Sequence, residues 1–160
     1  MLMNTRQLKA FCGRFAGATE TLYGEPSNIL VYSVGGKTFA YFKTSEPERW
    51  RFSTKVTPDR FVELTDFPGV KPARYRGRFY WVTIVEVSRF PASYLTELVE
   101  WSYQKAFASL TKAKQIAVRT SLEQSRASTC TAHFRPTALP SHHLYRPTGS
   151  VSLPRRSRSR

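Results

Sequence analysis

Residues 29–43, ILVYSVGGKTFAYFK, decide the fold class. Two runs rich in β-branched and aromatic residues, 29–34 and 37–43, flank Gly35-Gly36. Glycines supply the positive φ that a two-residue hairpin turn needs, so the stretch predicts an antiparallel hairpin. In the second run Thr38, Ala40 and Phe42 alternate with Phe39, Tyr41 and Lys43. That period of two allows one face to be buried and the other to stay partly wet.

Outward from the hairpin, residues 20–24 (ETLYG) and 50–56 (WRFSTKV) read as further strands, with Pro26 and Pro47 in the connections. Toward the N-terminus, Leu8, Phe11, Cys12 and Phe15 recur at i, i+3, i+4 and i+7. This apolar stripe predicts a helix that Asn4 or Thr5 caps and Gly17 closes. Cys12 then faces the core as a small hydrophobe, and no redox role is expected of it. Toward the C-terminus, Thr57-Pro58-Asp59 opens a short second helix with Phe61, Val62, Leu64 and Thr65 inward, ending at Pro68-Gly69. Residues 70–79, VKPARYRGRF, form a basic loop, and 80–87, YWVTIVEV, a strand. A last, aromatic-rich helix is expected from Pro91 to about Leu110, with Leu95, Leu98, Val99, Ser102, Ala106 and Leu110 as its stripe.

Helices and strands in this order predict one α+β domain over residues 1–118, an antiparallel sheet covered by helices in two layers. Residues 119–160 change character: 121–160 carry eight Ser and four Pro and end in PRRSRSR. So few bulky apolar groups cannot offset the entropy of ordering, which predicts a disordered basic Ser/Pro/Arg-rich tail.

The 160 residues carry a formal charge of +14. Residues 1–120 hold 18 basic and 10 acidic side chains, and residues 121–160 hold 7 and 1, so both parts contribute. The excess favours polyanionic partners. Cys12 and Cys130 are the only cysteines, too few for a disulfide framework or a zinc set. The first twenty residues lack an apolar signal-peptide core, and no stretch approaches the roughly 20 apolar residues of a membrane span. A cytoplasmic protein with no membrane partner is expected.

Several motifs occur in a familiar order over residues 5–112. They are Arg6-Gln7-Leu8-Lys9-Ala10-Phe11-Cys12, Gly35-Gly36-Lys37-Thr38-Phe39-Ala40, Ser53-Thr54-Lys55 with Val56-Thr57-Pro58, Val70-Lys71-Pro72-Ala73-Arg74 before Trp81, and Ser102-Tyr103. Together they resemble the MmcQ/YjbR-like family. The resemblance implies a fold like that of the bacterial frataxin homologue CyaY, and an association with DNA through a double-wing arrangement. Where that family has an Asn-Lys pair and a His before the tryptophan, this chain has Gly77-Arg78 and Tyr80. The exchange keeps the loop cationic and adds an aromatic. Frataxin-type iron binding needs acidic residues on the first helix, where this chain has Arg6, Lys9 and Arg14.

The loop from Lys71 to Trp81 is the leading candidate site. Arg74, Arg76 and Arg78 offer forked donors to phosphate, and Tyr75, Phe79, Tyr80 and Trp81 offer rings to bases. Lys37 and Lys55, at strand ends, extend the same positive face. The competing reading is a solvated basic turn beside a buried tryptophan, with lysines that merely protect sheet edges. His133, His142 and His143 all lie in the tail, so the domain lacks the commonest general base. No phosphate-binding glycine loop or nucleophile elbow appears. The expectation is a non-enzymatic DNA-binding protein without cofactor or metal; the alternative is a module that binds an acidic protein through its sheet face or last helix.

Overall fold

Asn4 starts the first helix, α1 (Thr5–Gly13), through a reciprocal cap. Its side chain accepts from the Gln7 amide at 2.8 Å, and the Gln7 side chain accepts from the Asn4 amide at 3.0 Å. Two of the otherwise orphaned donors at the helix start are thereby satisfied. This computed structural model describes residues 1–131: a sheet, three helices packed about it, and one helix added at the end.

The sheet has six antiparallel strands in the order β1-β2-β3-β4-β6-β5. They are β1 (Ala18–Tyr23), β2 (Ile29–Val34), β3 (Lys37–Lys43), β4 (Phe52–Lys55), β5 (Val70–Pro72) and β6 (Trp81–Ile84). β2 and β3 are the hairpin expected around Gly35-Gly36. Their pairing slips by one residue, from Tyr32↔Ala40 to Ser33↔Thr38, so Phe39 is an added bulge residue. The bulge lets Phe39 join Ala40 and Phe42 in full burial, and its ring meets Phe15 and Tyr103 edge-on. Burying a phenylalanine side chain fully is worth about 1.5–3 kcal/mol.

Helix α2 (Pro58–Thr65) begins where Thr57-Pro58 predicts, with Thr57 Oγ1 accepting from the Arg60 amide at 3.3 Å. Only Leu64 of its inward candidates is buried, and Val62 is 64% exposed. Helix α3 (Ala92–Ala108) buries Leu95, Leu98, Val99, Ser102 and Tyr103 against the sheet. The Tyr103 ring stacks on Phe15 with centroids 4.5 Å apart, and its hydroxyl donates to the Ala16 carbonyl at 2.8 Å.

Two expectations are corrected. The first concerns β5, which lies in the stretch read as a loop: three residues with Lys71 and Pro72 exposed carry no strand signal. The second is the domain boundary at 118/119. A fourth helix, α4 (Lys112–Thr131), runs straight through it, so residues 119–131 are helical rather than disordered. Its Lys, Ala, Gln, Arg, Leu and Glu content is helix-favouring even where no apolar stripe shows. It is seated by Leu110 and Val118, whose side chains approach the glycines that precede β3 and β1. A Cβ at Gly35 would lie 2.8 Å from Leu110, and one at Gly17 would lie 2.9 Å from Val118. Gly17 therefore closes no helix; it makes room for one. The rest of the expected tail, residues 132–160, lies outside the described residues. Among the described residues no helix is long and apolar enough to cross a membrane, and no acidic, His or Cys cluster could hold a metal.

Candidate nucleic-acid interface

The hairpin turn at Gly35-Gly36 projects Lys37 at the start of β3, and the antiparallel pairing of β4 with β6 sets Lys55 beside Trp81. Helix α3 crosses the same end of the sheet. Ser102, Lys105, Ala106 and Ser109 are spaced i, i+3, i+4 and i+7 and so share one helix face. Ser102 is buried and ties the layers together, donating to the Phe39 carbonyl at 2.6 Å and accepting from the Lys55 amide at 3.4 Å.

The loop between β5 and β6 folds back by a local hydrogen-bond set. The amides of Arg76 and Gly77 both donate to the Ala73 carbonyl, at 3.1 and 2.8 Å. The loop is then clamped by Ala73 to Trp81 and by Val56 to Tyr80 backbone bonds. This brings Arg76 over two rings: its guanidinium is 5.1 Å from the Trp81 centroid and 5.7 Å from that of Tyr41. Those rings are stacked, 5.6 Å apart. Trp81 is only 6% exposed, so it holds Arg76 in place rather than offering a free face.

The outcome is a cleft of about 430 Å³ with Lys37, Lys55, Arg76 and Lys105 on its walls. None of the four has an acidic partner within salt-bridge distance among the described residues. A second cleft, about 530 Å³, is lined by Tyr41, Lys43, Arg51, Arg74 and Tyr75. Thr38 and Arg76 line both, so the two clefts are neighbours across one arginine.

Not every expected residue joins them. Lys71 is taken up by Glu48, with Nζ 2.7 and 2.8 Å from the two carboxylate oxygens. Arg51 binds the same carboxylate at 2.7 Å. The hydrogen bonds from Lys71 and Arg51 hold the Glu48 carboxyl below its ordinary value. Tyr80 turns its ring onto Phe61 of α2, with centroids 5.8 Å apart. Arg78 lies against Phe79 at 4.7 Å, and neither residue lines either cleft. Of the expected set, Lys37, Lys55, Arg74, Arg76 and Trp81 are brought together. Sequence reasoning missed Lys105 and Lys43. For Lys105 a signal existed: it stands three residues after Ser102, on the face that Ser102 itself anchors.

The YjbR family model matches residues 14–105. The chain belongs to the YjbR family. The match spans all six strands and most of α3, so the cleft residues Lys37, Lys55, Arg76 and Lys105 of this YjbR protein lie within it. A Deinococcus radiodurans protein of known crystal structure, with a DUF419 domain, is 25% identical, with a TM-score of 0.62 over 73% of this chain and 88% of that one. A Pseudomonas syringae protein is 19% identical, with a TM-score of 0.52 over 65% of this chain and 99% of that one, and shares the fold. No curated protein matches this YjbR chain.

Proposed function

We propose that this YjbR protein is a non-enzymatic DNA-binding protein that takes phosphates into the two basic clefts. The observation that carries the reading is the convergence of Lys37, Lys55, Arg76 and Lys105 on one cleft, with no carboxylate among the described residues in salt-bridge contact with them. Holding like charges together costs Coulomb energy, and a bound polyanion relieves it. Arg74 and Arg76 extend the positive surface into the second cleft, which suits a chain of phosphates better than a single small anion. A protein with acidic side chains is the second reading, favoured by the same uncompensated cations.

The test is fluorescence anisotropy of labelled DNA with the full chain, at several salt concentrations. Binding should weaken steeply with salt. In the triple variant Lys37→Gln/Lys55→Gln/Lys105→Gln, the slope of log affinity against log salt should fall by about 2–3. Unchanged affinity and slope in that variant would remove the clefts from the account. No DNA binding by the wild-type chain would leave the acidic-protein reading.

A further inference from the structure

Tyr75 is the most exposed aromatic side chain of the described residues, at 82%. Its backbone is left-handed, with φ +67°, a conformation that costs a residue bearing a Cβ about 1–2 kcal/mol. Its ring meets no other aromatic ring among the described residues. The Arg74 guanidinium lies 5.1 Å from its centroid. The fold therefore spends backbone strain on a side chain that adds little to the core. It stands at the rim of the second cleft, between two arginines, with Arg76 leading into the first.

The shape of this surface restricts the ligand. A protein that reads a duplex inserts a helix or a two-stranded ribbon into a groove about 12 Å wide. Here the cations line concavities of about 430 and 530 Å³. Clefts of about 300–1,000 Å³ hold one small-molecule-sized group, not a rod of paired strands. A single strand fits both demands. Its backbone bends into clefts, and its unpaired bases present flat faces to an exposed ring.

We infer that the DNA bound by this face is single-stranded, with phosphates in the paired clefts beside Arg76 and a base stacked on Tyr75. The inference rests on the DNA-binding reading above and names the form of DNA. Tyr75 contributes through its ring face and not its hydroxyl, and the stack is tolerant of base identity because every base has such a face.

The experiment compares three ligands by anisotropy with the full chain: a labelled thymidine oligonucleotide, an abasic strand of the same length and charge, and a duplex. The thymidine strand should bind roughly tenfold or more tightly than the abasic one. Tyr75→Ala should lose most of that difference, Tyr75→Phe should keep it, and Phe67→Ala, which removes an exposed ring that lines neither cleft, should change nothing. Since Tyr75 is exposed, the alanine variant is expected to fold normally, and an unchanged thermal transition verifies this. Equal binding of thymidine and abasic strands, or tighter binding of the duplex, would overturn the inference while leaving the phosphate clefts standing. No binding of any of the three would overturn both.

Discussion

On one face of the sheet, β3 presents Phe39, Ala40 and Phe42, fully buried among side chains of α1, α3 and the adjoining strands. On the other face the same strand presents Tyr41 and Lys43, half-buried, beside a loop and a cleft. The first face is held by apolar area. The second is held by discrete polar and cationic contacts: Ser53 to Thr83 at 2.8 Å, Arg76 over Tyr41 and Trp81, and Glu48 bridging Lys71 and Arg51. Apolar burial is nondirectional and tolerates many sequences, whereas the polar contacts each depend on one geometry. The difference teaches where stability resides and where charge is left exposed: the helix-covered face keeps the fold, and the opposite face and its rim carry the cations on which the proposed binding rests.

That division can be broken most decisively at Phe39. Phe39→Ala removes a fully buried ring from under Phe15 and Tyr103 and should cost about 3–5 kcal/mol in urea denaturation. A cost near that of a surface change would mean that the helix-covered face is not the stabilising one.

The next effect comes with pH. Burial pushes the Cys12 thiol up to about 12 from its ordinary 9.0. In that window the unfolded chain ionises the thiol while the folded chain keeps it protonated, so the unfolded state binds fewer protons. Stability should therefore be intact below pH 9 and fall as pH rises toward 12, by about 1.4 kcal/mol per pH unit from this group. Burial also pushes up Tyr32 and Tyr103, which act in the same direction. Denaturation curves at pH 8 and pH 11 should show the fall, and Cys12→Ala should flatten without abolishing it. A stability that does not fall with alkali would sharpen the comparison against this account, by showing water at the α1 face.

The smallest change tests the opposite face. Ser53→Ala leaves the buried Thr83 hydroxyl without its partner and should cost about 1–2 kcal/mol. The double variant Ser53→Ala/Thr83→Val removes both polar groups and should recover most of that loss, as read by the urea midpoint. If the single and double variants were equally destabilised, the face would be packing-limited like its counterpart.

Legibility followed the same divide. Local signals were strong wherever one residue class repeats at a fixed period: the hairpin around Gly35-Gly36, the Thr57 cap, and the stripe of α3. They were weak for β5, which has three residues, and for α4, which meets the body through scattered contacts: Val118 at Gly17, Lys114 to the Gly35 carbonyl and Arg119 over Phe107. In the candidate site, the basic loop was visible as composition, yet composition could not separate Arg76, which enters both clefts, from Lys71, which Glu48 sequesters across 23 residues of chain. Nor could it show that Tyr80 packs on Phe61 while Tyr75 stands free of the core.

By itself the sequence determined most of the elements and their order (β5 and α4 apart), the family resemblance and the excess of positive charge, because caps, turns and hydrophobic periods act over a few residues. Only the tertiary structure decided which charges remain uncompensated and which of them meet. Lys37, Lys55, Arg76 and Lys105 come from two strands, a loop and a helix, and their convergence is set by strand register and by the seating of α3 through Ser102. A side chain's neighbours across the chain are a property of packing, and no local pattern encodes them.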